Sequence, residues 1–198
     1  MLDFQIIDCE QGSPEWHQAR AGIPTASEFQ TILALGKGRA SYLWTLASER
    51  MTEEPAPSYS NADMERGKLM EPVIRRDYEF RTGNQVQQIG FMRNAKCGCS
   101  TDGLVGDDGV VEFKSSAPHI LGPLIETGTF PNQYKAQCQG PLMISGRQWC
   151  DLVVFWHPKM PALRVRAERD ELYIAALRDA IDVFDLELRR LVKKLQAM

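Results

Sequence analysis

The stretch STDGLVGDDGVVEFKSS, residues 100–116, constrains the fold of this chain more than any other segment. At its centre, Gly106-Asp107-Asp108-Gly109 is a strong signal for a tight turn. Two apolar residues precede this turn and two valines follow it, as expected for paired strands. The stretch therefore predicts a β-hairpin.

Side chains alternate along a strand, so the second strand of this hairpin has two faces. Val111 and Phe113 share one face, and Glu112 and Lys114 share the other. Folding about the turn brings Asp102 beside Glu112, where like charges repel because opposing Cβ atoms lie only about 4.5–5.5 Å apart. A divalent cation between the two carboxylates would convert this repulsion into binding. The alternative is a solvated charged face without a cation.

Length, charge and cysteine content are those of an ordinary globular protein. A chain of 198 residues can form one domain with a full core. The sequence shows no membrane-length apolar run and no signal peptide, which predicts a cytoplasmic protein without a membrane partner. The net charge of −3 gives no general attraction to nucleic acid, yet a metal-dependent nuclease needs clustered acids and only a local basic stripe. The five scattered cysteines favour free thiols, and their spacing is not that of a usual zinc site.

Helix signals dominate the N-terminal third and the region after it. The expected helices are PEWHQARA, capped by Ser13, ASEFQTILAL, with a capping box of Thr25 and Glu28, and ASYLWTLASERM. A further helix is expected over about 62–82, with a kink or a restart at Pro72.

The middle and the end of the chain are predicted to contain strands and two more helices. The expected strands are NQVQQIGFMR, the hairpin, WCDLVVFWH and ALRVRAE. Residues 132–145 predict a helix interrupted at Gly140-Pro141, and a long helix is expected over about 169–196. Its predicted apolar stripe comprises Leu172, Ala176, Phe184, Leu188, Leu191 and Leu195. This stripe is expected to pack in the core, and an oligomer interface is the alternative.

This order of elements predicts a single α/β domain with a central mixed β-sheet flanked by helices. We expect a helical N-terminal part over about 13–60, a catalytic core over about 61–168 and a C-terminal helix over about 169–196. The stretch rich in proline and serine at 52–61 is interpreted as an exposed loop within this domain. The four tryptophans are expected in the core.

The hairpin acids belong to a wider pattern. Asp102 followed by Glu112-x-Lys114 is typical of the restriction-endonuclease-like nuclease superfamily, although this pattern is weakly specific by itself. The block WHQARAGIPTASE is more specific, and it is accompanied by RGKLMEP and NQYKAQCQ. Together these blocks resemble the phage-recombination exonucleases of the lambda exonuclease type and their YqaJ-like relatives. The resemblance covers nearly the whole chain, and it departs at Thr101, where many relatives have proline.

The resemblance implies a restriction-endonuclease-like core and an activity on DNA. The implied reaction is 5′→3′ digestion of one strand of linear double-stranded DNA with 5′-phosphorylated ends, which leaves a 3′ overhang for recombination by strand annealing. It implies two Mg²⁺ ions per active site, with Mn²⁺ as a substitute. It also implies a homotrimeric ring around DNA, a single-strand-annealing partner protein, and a phage or prophage protein acting in the bacterial cytoplasm.

The resemblance also implies a catalytic set around the hairpin. Asp102 and Glu112 would bridge the metal ions, and Glu71 would complete the second site. The backbone carbonyl of Val111 or Phe113 is an expected further donor. Lys114 would orient or deprotonate the attacking water, or stabilise developing charge, and the base role requires a lowered pKa.

A second set is expected to contact the DNA. The resemblance implies that Arg20 and Ser27 form the family's 5′-phosphate pocket. Arginine offers a fork of donors that matches phosphate, and Ser27 lies near a predicted helix N-terminus, where anions are favoured. The other expected DNA-contacting residues are Ser100, Gln137, Tyr134, Met64, Lys37 and Arg39. Met64 is either a wedge between bases or a core methionine, and Lys37 and Arg39 either touch the DNA backbone or lie in a solvated loop. Trp16, next to the expected phosphate pocket, is either a core residue or a stacking partner for a base.

Two other functions compete with the exonuclease. One is a structure- or site-specific endonuclease on the same core, which would cut closed circular DNA. The other is a DNA-binding module that has lost catalysis, and the presence of every expected ligand argues against it. Hydrolysis with Mg²⁺ but not with a chelator would exclude that module.

Overall fold

The computed structural model describes residues 4–57 and 62–198. Two 3₁₀ turns, Ala26–Glu28 and Asn132–Tyr134, accompany the main elements. The helices and strands in chain order are β1 (Gln5–Ile7), α1 (Pro14–Arg20), α2 (Phe29–Leu33), α3 (Lys37–Thr52), α4 (Ala62–Thr82), β2 (Val86–Gln87), β3 (Phe91–Arg93), β4 (Gly98–Cys99), β5 (Gly103–Val105), β6 (Gly109–Ser115), α5 (Pro118–Thr127), α6 (Lys135–Ser145), β7 (Trp149–Phe155), β8 (Leu163–Glu168) and α7 (Glu171–Gln196).

A five-stranded mixed sheet organises the fold. Its strand order is β2-β5-β6-β7-β8, and a separate three-stranded sheet has the order β1-β3-β4. Within the larger sheet β6 and β7 are parallel, whereas the other neighbours are antiparallel. The predicted class, a central mixed sheet in an α/β domain, is therefore confirmed.

Helices cover both faces of this sheet. On one face, alternate residues of β6 and β7 pack with α2, α3, α6 and α7 in the larger core. On the other face, Val111, Phe113, Val153 and Phe155 pack against α4. Because β6 is covered on both faces, its polar side chains lie close to low-dielectric protein rather than in open water.

The predicted hairpin is confirmed, and its register is the expected one. Gly103 pairs with Val111, and the turn begins at Gly106, whose φ of 52° favours glycine. Arg147 closes the turn by donating to the carbonyls of Gly106 and Gly109 at 2.8 Å each. The pairing places Asp102 next to Glu112 in the row beyond the last paired residues.

Most predicted helices are present, but the start of α2 differs. Ser13 caps α1 by accepting the N–H of Trp16 at 3.2 Å, as predicted. The predicted capping box of Thr25 and Glu28 is wrong, because the Thr25 side chain makes no capping bond. Its hydroxyl lies 3.1 Å from the Ser27 hydroxyl, and its N–H donates to the Tyr42 hydroxyl. The segment forms a 3₁₀ turn followed by a short helix.

The two prolines at which the sequence predicts a break lie within continuous helices. Pro72 lies inside α4, which is assigned as one helix with no restart. The predicted interruption at Gly140-Pro141 is wrong, because α6 continues through both residues. Every residue of α6 from Cys138 to Ile144 is buried, and this packing offsets the roughly 3 kcal/mol that an internal proline costs.

The apolar stripe of α7 is only partly as predicted. Leu172 is 87% exposed and Ala176 is also exposed, which contradicts the prediction for the first turns. The buried apolar residues are Ile174, Leu177, Ile181, Phe184 and Leu188. These residues recur at three- and four-residue steps, which keep to one face of a helix, whereas steps of four alone drift away from it.

The other differences concern short or peripheral segments. Strand β1 and helix α5 were not predicted, and the predicted strand NQVQQIGFMR divides into β2 and β3, which belong to different sheets. Trp44 is 56% exposed rather than part of the core. Of the predicted loop at 52–61, residues 58–61 lie outside the described residues. Across the described chain, no helix is long and apolar enough to cross a membrane.

Candidate active site

The β5–β6 hairpin brings Asp102 against the backbone of β6. Pairing between the strands ends at Gly103 and Val111, and the next N–H on this edge of β6 belongs to Phe113. Asp102 Oδ2 accepts that N–H at 2.6 Å, so the carboxylate continues the ladder where β5 ends. The position of Asp102 is thereby fixed relative to Glu112.

Glu112 is a buried carboxylate held by two donors. It is only 1% exposed, and its Oε2 accepts from Lys114 Nζ at 2.9 Å and from Gln137 Nε2 at 3.2 Å. Burial raises the pKa of Glu112 to about 7; the positive charge of Lys114 lowers it, and the negative charge of Asp102 raises it further. The sheet thus keeps an acid where ionisation is unfavourable unless more positive charge is supplied.

Lys114 lies on the same face of β6 and is half-buried. Burial acts to lower its pKa, but the carboxylates of Glu112 and Asp102 outweigh burial and raise it above its ordinary value. The side chain is therefore an ammonium ion at neutral pH. The raised pKa of Lys114 favours the charge-stabilising or water-orienting role over the base role, because a base needs a lowered pKa.

Glu71 approaches from α4. Its carboxylate is ion-paired with Arg75 one helical turn further along the chain. Burial and the charge of Asp102 raise the pKa of Glu71, while Arg75 and Lys114 lower it. Glu71 is thus close enough to Asp102 and Lys114 for their charges to affect its pKa.

The two predicted carbonyl donors differ in their surroundings. The Val111 carbonyl accepts from the buried Thr101 hydroxyl at 3.0 Å. The N–H and C=O of a strand residue point to the same edge. Because the Phe113 N–H points at Asp102, its carbonyl points toward the same side. Phe113 is therefore the better placed donor of the two.

The chemistry of this donor set fits a divalent ion, but the carboxylates do not yet surround one point. Among the described residues, no group of three or more His, Cys, Asp or Glu side chains is placed to hold a metal ion. Asp102, Glu112 and Glu71 are instead engaged by a backbone N–H, an ammonium and a guanidinium, respectively. Neighbouring carboxylates repel one another, and Mg²⁺ prefers carboxylate oxygens as ligands.

A cavity of about 250 Å³ is lined by residues that include Trp16, Arg20 and Ser27. Ser100, two positions before Asp102, connects the cavity to the hairpin. Its hydroxyl accepts from Trp16 Nε1 at 2.8 Å and from Arg20 Nη1 at 3.2 Å. The Arg20 guanidinium carbon also lies 4.0 Å from the centroid of the Trp16 ring. Arg20 is therefore held in place, and burial lowers its pKa without removing its charge.

Ser27 lies exposed in the same cavity, but it does not lie at the start of a long helix as predicted. The predicted helix N-terminus is a 3₁₀ turn followed by the five-residue helix α2, which is too short to favour an anion strongly. Sequence reasoning missed Tyr42 and Glu49 in this cavity. The Glu49 carboxylate accepts the N–H groups of Gly22 and Ala56 at 2.7 and 2.8 Å, which no short motif signals.

The remaining predicted DNA-contacting residues fall into different surroundings. Gln137 reaches the site through Glu112, whereas Tyr134 is half-buried and packs against the main core. Met64 is 46% exposed on α4, so its alternative as a core methionine is wrong. Lys37 is exposed at the first residue of α3, so its alternative as a loop residue is wrong.

Arg39 has a structural partner instead of an open position. It donates to Glu187 of α7 at 2.7 Å, and its guanidinium carbon lies 5.1 Å from the centroid of the Phe184 ring. It is only 14% exposed. These contacts tie α3 to α7 and argue against the predicted contact with DNA.

Comparisons with known proteins bear on the family and the fold of this chain. The profile of a family described as the YqaJ-like viral recombinase domain matches residues 15–148. The structure is similar to an alkaline exonuclease (LHK-Exo) from Laribacter hongkongensis, with a TM-score of 0.87 and 32% identity over 93% of this chain and 97% of that chain. A complex of LHK-Exo with dAMP matches with the same TM-score, 33% identity and the same coverage.

A more distant similarity supports the fold alone. A phage-related exonuclease from Haemophilus somnus 129PT has a TM-score of 0.70 at 14% identity, over 87% of this chain and 96% of that chain. No curated protein sequence matches the chain.

Proposed function

The chain belongs to the YqaJ-like viral recombinase family, and on this premise we propose that it is a nuclease that digests one strand of linear double-stranded DNA from the 5′ end. The family and the similarity to an alkaline exonuclease support an enzyme that acts on DNA. The observation that carries the proposal is the bonding of Glu112 to Lys114 on the hairpin that also carries Asp102. Glu71 lies within reach of the Asp102 charge, and Ser100 of the same segment is bonded to Arg20.

The acids would hold Mg²⁺, two ions per site, with Mn²⁺ as a substitute. Asp102, Glu112, Glu71 and the carbonyl of Phe113 are the proposed ligands. When bound, divalent ions supply an activated water, neutralise charge at phosphorus and assist the departing oxygen.

The protein groups have distinct tasks in this reaction. Phe113 orients Asp102 through its N–H, and Gln137 orients Glu112 through its amide. Lys114, held beside Glu112 as an ammonium, stabilises the negative charge that develops on the phosphate. None of these groups must reorganise during the step, which is what makes such electrostatic stabilisation effective.

Arg20 would bind the terminal 5′-phosphate. A guanidinium matches phosphate geometry, and Ser100 and Trp16 already fix its orientation. A phosphate held there positions the next diester at the acids, because Ser100 and Asp102 are close neighbours in the chain. Each cleavage leaves a new 5′-phosphate for the same cavity, which supports repeated cleavage of one strand.

The assembly and the partner follow from the same family assignment. We propose a homotrimeric ring that encircles the DNA and a single-strand-annealing protein that binds the exposed 3′ overhang. Both proteins would act in recombination in the cytoplasm of a bacterial host.

The proposal is tested with three substrates: a linear duplex labelled at each 5′ end, the same duplex labelled at each 3′ end, and a closed circular duplex. We expect Mg²⁺-dependent release of mononucleotides from the 5′ ends, early retention of the 3′ label on long strands, and no cut in the circle. EDTA should stop the reaction. Cutting of the circle would favour an endonuclease, and no hydrolysis with Mg²⁺ or Mn²⁺ would favour a DNA-binding module.

A further inference from the structure

The position of α4 along the sheet decides where Glu71 lies. The other catalytic candidates are on or beside β6, whereas Glu71 comes from a helix that packs across the face of the sheet. Gly67, Glu71, Ile74 and Tyr78 recur at helical spacing and share the inner side of α4. Anything that fixes α4 before and after Glu71 therefore fixes Glu71.

The first attachment lies before Glu71. Arg66 donates to the Ser115 hydroxyl and to the Trp156 carbonyl, both at 2.6 Å. Its guanidinium carbon also lies 3.3 Å from the centroid of the Trp156 ring. At Gly67 the helix approaches β6 so closely that a Cβ would lie 3.0 Å from Ser115 Cβ. This attachment joins α4 to the end of β6.

The second attachment lies after Glu71. The Tyr78 hydroxyl donates to Asp151 Oδ2 at 2.8 Å. Arg166 donates to the same carboxylate from Nε at 2.7 Å and from Nη2 at 3.0 Å. The Arg166 guanidinium carbon lies 3.6 Å from the centroid of the Trp149 ring. Asp151 is thus held by β8 on one side and holds α4 on the other.

Asp151 is a buried charge that the proposed chemistry does not use. It is 2% exposed and pairs in register with Val111, so its side chain points to the α4 face of the sheet and away from Glu112. A buried carboxylate is unfavourable unless hydrogen bonds satisfy it, and an apolar residue would pack there at less cost. Unlike an apolar residue, the Asp151 carboxylate forms a directional hydrogen bond with Tyr78.

Tyr78 also contacts β6 through its ring. The ring meets Phe113 edge to face, with centroids 5.9 Å apart and an interplanar angle of 82°. Phe113 is the residue whose N–H holds Asp102. One side chain therefore contacts both Asp151 and the strand residue that orients a proposed metal ligand.

We propose that the Tyr78–Asp151 hydrogen bond, together with the Arg66 attachment, sets the position of α4 so that Glu71 can join Asp102 and Glu112 in holding divalent metal. Tyr78 and Asp151 are positioning residues rather than ligands. Apolar contacts alone permit small shifts of a helix along a sheet, whereas a buried hydrogen bond specifies one position. The inference rests on the proposed function, because it concerns the same metal site.

The test is Mn²⁺ binding, measured by titration calorimetry on metal-free protein. Tyr78→Phe removes one hydroxyl and keeps the ring against Phe113. We expect its dissociation constant for Mn²⁺ to rise about tenfold, as for other partners that orient metal ligands. Asp151→Asn should give a similar loss, and the double variant should lose little more than either single variant, because both remove one bond.

The matched control is Asp185→Asn, which neutralises another buried carboxylate, held by Arg50 and Arg189. It should bind Mn²⁺ as the wild type does. An unchanged dissociation constant in folded Tyr78→Phe, or an equal loss in Asp185→Asn, would overturn the inference. If Tyr78→Phe does not fold, Asp151→Asn decides. Wild-type protein that neither binds Mn²⁺ nor cleaves DNA would contradict the proposed function itself, whereas normal wild-type activity with an unaffected Tyr78→Phe contradicts only the positioning role.

Discussion

Glu112 shows how one buried acid couples stability to function. Its pKa of about 7 lies above the ordinary value for glutamate, because burial disfavours the charged form. A group whose folded-state pKa is raised contributes stability that is fully present below its unfolded pKa. That stability is lost as the pH rises through the folded pKa. Without metal, the stability that Glu112 contributes is lost between about pH 4.3 and about pH 7.

Glu112→Gln should therefore change the pH dependence of stability. Urea unfolding in EDTA at pH 5 and pH 8 measures it for the variant and the wild type. Between these values, the unfolding free energy of the variant minus that of the wild type should rise on the order of 2 kcal/mol. Excess Mg²⁺ at pH 8 should stabilise only the wild type. Parallel pH dependences for the two proteins would mean that Glu112 titrates normally.

Arg20→Ala tests the phosphate cavity. If Arg20 binds the terminal phosphate through charge-assisted bonds worth roughly 1.5–3 kcal/mol, the variant should lose about tenfold to a hundredfold in initial rate on 5′-phosphorylated duplex. A duplex with 5′-hydroxyl ends should be much less affected. Exposed Arg178 supplies the control variant, Arg178→Ala. Equal losses on both substrates would show that Arg20 is a general structural or backbone contact.

Helix α6 illustrates a close contact that only glycine permits. A Cβ at Gly140 would lie 2.8 Å from the Phe29 ring and 3.0 Å from Ala26 Cβ. The helix that carries Gln137 therefore packs directly on the segment that contains Ser27. This contact links the two parts of the proposed site.

Two glycine substitutions separate this contact from helix propensity. Alanine normally stabilises a helix interior by about 0.5–1 kcal/mol relative to glycine. Gly122→Ala in α5, where a Cβ meets nothing within 4 Å, should show that gain. Gly140→Ala should instead destabilise by roughly 1–3 kcal/mol through overpacking. Urea unfolding of both variants measures this, and a gain at Gly140 would mean that α6 and α2 do not pack closely.

Local signals account for what the sequence could predict. The hairpin, its register and the Ser13 cap depend on neighbouring residues, so alternation and turn chemistry suffice to derive them. The proximity of Glu71 came from the family resemblance, because no local rule brings α4 to β6. The continuity of α6 through Pro141 and the partner of Arg39 both depend on tertiary packing, which overrides propensity and leaves no short motif.

The molecule as a whole leaves large apolar side chains in water. Leu69, Phe80 and Leu172 are 73%, 89% and 87% exposed in the single chain. Contact between copies would remove such area from water, which favours association. The ring, however, rests on the family resemblance and needs its own measurement.

Light scattering after size exclusion should give one species with a mass near three times the chain mass of 22.4 kDa. The reason is that a closed ring satisfies every interface and leaves no end for further growth. A stable monomer at the concentration used for activity would remove the ring, and with it the explanation of repeated cleavage by encirclement. A run with a protein standard of similar mass supplies the control.

The most direct test of the account is the initial rate of nucleotide release from 5′-phosphorylated linear duplex in Mg²⁺, compared for two Asp→Asn variants of one hairpin. Asp102 is the proposed ligand, and Asp108 is an exposed acid of the turn. With both variants folded by circular dichroism, Asp102→Asn should lose at least about 100-fold in rate. Asp108→Asn should keep the wild-type rate. Near-normal release by Asp102→Asn would contradict the assignment of the hairpin as the active site.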